Sequence, residues 1–504
     1  LSTERSLTVN LTDALTSSVP NLGKALQRDN GAYSSGTNIP LDPKDNGTST
    51  TTFTITLSVT DKNQSLTNAQ FDYDLNLYDE NYKSPYDYFD FSDNGDGTVT
   101  LTDYYPNLSD SADVVIPSTV SRNAEGQWIE GDTFTVTAIA GASSSNGVFY
   151  NSGITSIELP STLESIGDYA FYNCSGLTGE LNLGECTSLT SIGVNAFYNC
   201  SSLTGELNLG KCTNLTSIGF AAFCVCSSLT SITLPSSLTS IGDHAFQGCS
   251  GLTSITLPDS ITSMGDGAFV GCDKLTSVDL SNCTILASIG DSAFTECSGL
   301  TSITLPSSLT SIGSSAFYNC YALAEVYNYS SLTLAIESTD NGSVAEYAKV
   351  VYNLSDGEEK PATRIQTIDN MQYYVYEDDF IALAPTSRDI TSVNLDSRTT
   401  EINQRAFSSC SSLTSITLPS SLTSIGSNAF NYCYGLKEVI IDSEYVYDNA
   451  TSDKACGSLF NNSSITTVKV LSSLDDGTNS YITTNFTKGE NEVIGGKSYT
   501  VYSK

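Results

Sequence analysis

Apolar positions recur along most of the chain in one pattern. In Leu229-Thr-Ser-Ile232-Thr-Leu234, Ile232 and Leu234 alternate with Thr233. That is the period of a short strand with one face in a core and one in water. Pro235 ends the strand, because it has no N–H to give to a ladder. A second extended piece follows, Leu238-Thr-Ser-Ile241, then Gly242, then an Ala-Phe pair that reads as a short helical turn. The glycines equivalent to Gly242 are Gly167, Gly193, Gly219, Gly265, Gly290, Gly313 and Gly426, and Asn403 stands at the remaining position. Eight Gly and one Asn at a fixed offset predict a backbone with positive φ. The phenylalanines of the pairs are Phe171, Phe197, Phe223, Phe246, Phe269, Phe294, Phe317, Phe407 and Phe430. They are expected to stack into an aromatic column opposite the strands.

The unit opens at Ile154, Leu177, Leu203, Leu229, Leu252, Leu275, Leu300 and Leu323, with gaps of 23, 26, 26, 23, 23, 25 and 23 residues. It resumes at Ile390, Leu413 and Leu436, and a decayed copy opens at Ile465. A leucine-patterned repeat of this length predicts a leucine-rich-repeat solenoid, an α/β fold of short parallel strands and short helical turns. Nine of the fourteen cysteines keep the same register, three residues before an opening Leu: Cys174, Cys200, Cys226, Cys249, Cys272, Cys297, Cys320, Cys410 and Cys433. A ladder of buried free thiols accounts for them. Disulfides or a metal are the alternative, but parallel Cβ vectors suit a bridge poorly. Cys186 and Cys212 hold matching places in two 26-residue repeats and form another short ladder.

The unit LTSITLPSSLTSIGxxAFxxC resembles the BspA-like leucine-rich-repeat family of cell-surface proteins, over residues 90 to 470. Two segments add to the likeness. Asp93-Asn-Gly-Asp-Gly-Thr-Val-Thr-Leu101 with Asp113-Val-Val-Ile-Pro117 is similar to the stretch before the first full repeats of such proteins. Val326-Tyr-Asn-Tyr-Ser330 with Tyr347-Ala-Lys-Val-Val-Tyr352 is similar to an irregular insert in their arrays. The resemblance implies surface display and adhesion to host matrix, host cells or other microbes. It carries over no binding residue.

Outside the repeats, Thr52-Phe-Thr-Ile-Thr-Leu-Ser-Val59 alternates cleanly and residues 71–78 alternate again, so 1–88 is expected to be a β-rich, sandwich-like domain. A helix over 12–26 is opposed by Pro20. Residues 89–152 are expected to form the solenoid lead-in and N-terminal cap, because an open repeat end exposes core. Repeats occupy 153–327 and 390–470. An irregular hairpin insert spans 328–389, and 471–504 reads as a C-terminal cap hairpin with Gly495-Gly496 in its turn.

Charge narrows the partners. The net charge is −35 over 504 residues, which disfavours nucleic acid and anionic lipid. No apolar run reaches the eighteen residues of a membrane-spanning helix, so no membrane insertion is expected, and a signal peptide is expected to have been removed before Leu1. His244 is the sole histidine. That disfavours zinc hydrolase sites, and its variable neighbours-in-register mark it as an ordinary surface residue. Ser and Thr make up roughly a quarter of the chain, the mark of a repeat whose exposed positions carry hydroxyls. Residues 72–96 gather carboxylates, the ligands of Ca2+, but Asp93-Asn-Gly-Asp-Gly lacks the EF-hand spacing. A solvated turn accounts for them, with a Ca2+ site as the alternative, and no other cofactor is expected. No carboxylate pair stands out as that of a glycosidase.

The outward centre of the repeat strands holds Glu158, Thr233, Thr256, Asp279, Thr304, Asn394 and Thr417, a polar ladder without aromatic or basic residues. This is the candidate binding face. The sequence therefore reads as a non-enzymatic, extracellular or cell-surface, adhesin-like module. It is expected to be a monomer and to take a protein or glycan ligand on an extended polar face. The alternative is a structural spacer that displays another module.

Overall fold

The computed structural model describes residues 3–10, 52–59, 88–105, 113–123, 126–143, 147–449, 459 and 464–504. They fall into two compact units. The first comprises Leu1–Phe89, Tyr105–Asp110 and Arg122–Glu130. In it, Thr3–Asn10 pairs antiparallel with Thr52–Val59, from Thr3 opposite Val59 to Asn10 opposite Thr52. The alternating segment at 52–59 is thus a strand. The alternation at 71–78, the helix considered at 12–26 and the acidic stretch up to residue 87 lie outside the described residues.

The second unit comprises Asp90–Tyr104, Ser111–Ser121 and Gly131–Lys504, and it is the solenoid. Each repeat has three sides. The front side is the first strand of the unit, Leu229–Thr233 in the reference repeat, which pairs in parallel with Ser254–Thr256 of the next. The second side is Ser240–Ile241, paired with Ser263–Met264. The rear side carries the Ala-Phe pair. It is not helical: it is a run of turns in which alternate N–H groups reach the next repeat. Phe223 donates to the Ala245 carbonyl at 2.8 Å, and His244 to that of Asp266 at 2.8 Å. Left-handed residues two places before and after each Phe set this path, as at His244 (φ 56°) and Gly248 (φ 71°). Helix is confined among the described residues to short pieces such as Glu444–Asp448 and Ser480–Asn485.

Three ladders hold the stack. Phenylalanine rings lie face to face from Phe149 to Phe317, with centroids 4.7–5.6 Å apart and planes within 14°. Each buried ring contributes on the order of 2 kcal/mol by area and about 1 kcal/mol more per pair. The cysteines line the same side. All thirteen described are free and buried. Eight of the thiols in the repeat register donate to the carbonyl of the Phe one repeat back, as Cys226 to Phe197 at 3.2 Å and Cys320 to Phe294 at 3.1 Å. The third ladder is of threonines, in two columns, with Thr253 donating to the Thr230 carbonyl at 3.1 Å and Thr262 to that of Thr239 at 3.0 Å. The Ser/Thr bias is therefore partly structural: these hydroxyls satisfy backbone groups between repeats.

The conserved-offset glycines overturn one expectation. Gly242, Gly219 and Gly193 are not among the positive-φ residues. A Cβ on Gly242 would lie 2.8 Å from the Gly219 carbon and the Ile218 oxygen, and one on Gly193 would lie 2.6 Å from the Asp168 nitrogen. Glycine is needed because successive repeats touch backbone to backbone at this corner. Asn403 escapes the requirement: its N–H follows the hairpin strand at Ala382, and its amide donates to the Tyr321 carbonyl at 2.9 Å.

Between the two runs of repeats, the strands Ile365–Ile368, Met371–Tyr376 and Asp379–Pro385 form antiparallel pairs. The last of them then pairs in parallel with Glu401–Ile402. Arg388 reaches from this region to the Ser298 hydroxyl at 3.3 Å and to the Ala406 carbonyl. At the C-terminal end, Thr467–Leu471 pairs antiparallel with Lys497–Ser503, which pairs with Thr487–Ile494.

Candidate functional site

The front strands from Gly205–Asn208 to Val350–Asn353 form a seven-stranded parallel sheet. Its outward central position reads, in register, Asn208, Thr233, Thr256, Asp279, Thr304, Tyr327 and Tyr352. Four predicted face residues are thus neighbours on adjacent strands. Thr233, Thr256 and Asp279 are exposed, and Thr233 also donates to the Glu206 carboxylate. Thr304 is not part of an open face: it is 1% exposed.

The reason is a strap. Residues 354–364 leave the last front strand and run back over the sheet. Lys360 Nζ donates to Thr304 Oγ1 at 2.8 Å and lies 4.2 Å from the Tyr327 ring centroid. Under the strap, Glu325 is fully buried. Its carboxylate accepts from the Tyr327 hydroxyl at 2.8 Å, the Thr363 hydroxyl at 2.7 Å and the Arg364 N–H at 2.7 Å. Three donors supply the hydrogen bonds a buried carboxylate requires. Burial, and then the bond to Glu325, push the Tyr327 hydroxyl well above its ordinary pKa. The Arg364 guanidinium lies 3.7 Å over Tyr376 and donates to the Tyr374 hydroxyl at 2.9 Å. The ladder therefore carries aromatic residues at its downstream end, covered there by the cations of the strap, which the reading by repeat units missed. The signal was present: Val326-Tyr-Asn and Val351-Tyr-Asn stand 25 residues apart, one repeat.

The remaining predicted residues belong to other sheets. Asn394 and Thr417 are partners in a six-stranded sheet, where the same position continues as Ile440 and Lys469. Lys469 is held between Glu438 at 2.9 Å and Glu492 at 2.8 Å. Glu158 lies opposite Val115 in a separate two-stranded pair. The seven positions are thus split over three sheets: the strap and hairpins interrupt the front ladder before Asn394, and the repeat opening at Leu177 contributes only an isolated bridge, Gly179 to Leu203, after Glu158.

His244 is half-buried rather than freely exposed. Its ring meets Phe220 edge-on at 5.6 Å and fits where Gly267 lacks a Cβ. Its buried Nδ1 has no hydrogen-bond partner, whereas a catalytic His has that nitrogen held by a carboxylate. Asp93 and Asp96 close their turn by accepting from Gly95 N–H at 2.7 Å and Thr98 N–H at 3.0 Å. Among the described residues, no group of three or more His, Cys, Asp or Glu is placed to hold a metal ion.

The family model for the BspA type leucine rich repeat region matches residues 143–234, 216–339 and 385–485, in six copies. The chain belongs to the BspA-type leucine-rich-repeat family. Solved structures similar to this BspA-type chain include a leucine rich cell surface protein of Faecalibacterium prausnitzii. It is 26% identical over 72% of this chain and 76% of that one, with a TM-score of 0.36. A leucine-rich repeat protein of Bacteroides ovatus is 25% identical over 71% and 94%, with a TM-score of 0.30. The leucine rich repeat protein of T. pallidum is 23% identical over 49% and 81%, with a TM-score of 0.28. No curated protein matches this BspA-type chain.

Proposed function

We propose that this protein is a secreted or surface-displayed binding module, adhesin-like and non-enzymatic, whose front sheet recognises a protein or glycan outside the cell. One observation carries the reading: the upstream front sheet presents Asn208, Thr233, Thr256 and Asp279 in register and exposed. Extended solenoid faces of this kind are common recognition surfaces, and fold alone fixes no ligand. Membership of the family supports a place at the cell surface. No helix among the described residues is long and apolar enough to cross a membrane.

The test is binding of the purified chain to a panel of matrix proteins, mucins and glycans at physiological salt, where non-specific attraction to the acidic chain is screened. Saturable binding to one class supports the reading. Binding to none moves the protein to the spacer role.

A further inference from the structure

The strap shows in cis what the front sheet accepts. It carries two cations onto that sheet, Lys360 over Tyr327 and Thr304, and Arg364 at 5.8 Å from the Tyr352 ring centroid. Its backbone and hydroxyl groups are fixed by a carboxylate of the sheet, Glu325. Upstream of it the same sheet is uncovered: its exposed carboxylate Asp279 pairs in register with Thr256, three residues before the exposed Asp259.

A notch lies there. The corner after Ser277–Asp279 runs through Ser281-Asn-Cys-Thr-Ile285, two residues longer than the Pro-Ser-Ser corners of the 23-residue repeats. The longer corner stands proud of its neighbour. It leaves a depression of about 440 Å³ lined by Leu257, Pro258, Asp259, Asn282 and Thr284, none of them basic. Ile285 on the projecting corner is 53% exposed. Behind it the Cys283 thiol is pushed up to about 11, first by burial and then by Asp279 and Asp259. Asp279 is fixed by accepting the Ser281 N–H at 2.9 Å.

We propose that the uncovered front sheet binds an extended, Lys/Arg-rich segment of a partner protein, with one cationic side chain seated in the notch at Asp259, next to the strand that ends at Asp279. The assignment rests on the protein-binding reading above and names its partner class. The aliphatic stem of a Lys or Arg packs on Pro258 while its head meets the carboxylates. The charge of −35 steers such a segment in. The acidic floor disfavours an acidic peptide for the same reason.

The test uses the full chain and a fluorescent extended peptide rich in Lys and Arg, with Gln-rich and Glu-rich peptides of equal length, at physiological salt. Anisotropy titration is expected to give saturable binding of the basic probe alone. Asp259→Asn with Asp279→Asn weakens it about tenfold, and Asn keeps the oxygen that accepts from Ser281. Glu444→Gln with Glu490→Gln removes the same charge elsewhere and leaves affinity unchanged. No binding, equal binding of the Gln-rich probe, or equal loss in both double variants overturns the assignment. A panel protein that binds the wild-type and notch-variant chains alike overturns it too, while leaving the broader protein-binding reading intact.

Discussion

Replacing Gly242 by Ala places a Cβ 2.8 Å from the Gly219 carbon and the Ile218 oxygen. Carbon contacts settle near 3.5 Å, so the overlap is about 0.7 Å. Both atoms are backbone and cannot swing away. The repeats must part, which stretches the 3.0 Å hydrogen bond from Gly242 N–H to the Ile218 carbonyl beyond useful length. Overpacking costs roughly 1–3 kcal/mol and the bond about 1 kcal/mol, so a loss of about 2–4 kcal/mol is expected. Gly271 is the contrasting case: its φ is +68° and nothing lies within 4 Å of its Cβ position. Ala there carries only the left-handed penalty of about 1–2 kcal/mol, partly offset by lower entropy of the unfolded chain. Asn at 271 costs less still, since Asn173, Asn199 and Asn319 adopt φ of 56–64° at the same place. Urea unfolding followed by far-UV circular dichroism ranks the variants. The decisive variant is Gly242→Asn. If φ were the constraint, Asn would rescue the position relative to Ala; backbone stacking requires it to be at least as harmful. A milder Gly242→Asn refutes the stacking explanation.

Burial holds three corner thiols protonated, Cys186 pushed up to about 12 and Cys212 and Cys283 to about 11. Their native pKa exceeds the unfolded value of about 8.5, so this stability is complete below that pH and is lost as pH rises toward 11–12. Urea midpoints are expected to fall steadily above pH 9, and in a Cys456→Ser background a thiol reagent at pH 8 should label nothing until the chain unfolds. Glu325→Ala leaves three donors of the strap and sheet without an acceptor, at about 1 kcal/mol each. A glutamate-specific protease should then cut at Glu358 or Glu359 at least tenfold faster, and an unchanged rate refutes the anchoring role. At the C-terminal end, burial works against the Asp475 carboxylate. Hydrogen bonds from Lys488, Tyr502 and Thr500 outweigh it and hold its pKa below the usual value. That contribution is present above about pH 4 and lost as pH falls through the depressed value, so Asp475→Asn should reduce the acid sensitivity of unfolding.

The periodic part of this fold was readable because every repeat poses the same packing problem. The Phe column, the buried thiols and the alternating front strand each follow from one residue type at one offset. Two features escaped that logic. The offset glycine had two physical explanations, torsional and steric, and a sequence shows only the residue, not the neighbour 2.8 Å away. The strap is aperiodic, so nothing in the repeat register places Lys360 against Thr304, 56 residues away in sequence. Outward exposure was therefore legible at Thr233, Thr256 and Asp279 and misjudged at Thr304, whose own repeat looks like all the others.

The repeats differ in length on one side only. Fourteen residues separate Leu189 from Leu203, Leu238 from Leu252 and Leu286 from Leu300, although these repeats are 26, 23 and 25 residues long. The constant span covers the second strand, the touching glycine, the Phe and the Cys, where alternate N–H groups bond to the next repeat. The variable span is the front strand and the corner after it, where residues added at Gly184–Thr187 or Ser281–Thr284 project outward. The rear of the solenoid thus acts as an invariant spine, and the front rim as a place where sequence can be inserted without changing the stack. Such a molecule can acquire or discard a ledge, and with it a ligand, through a change confined to one corner. The same corner is where foreign loops should be grafted if the array is to be given a new specificity.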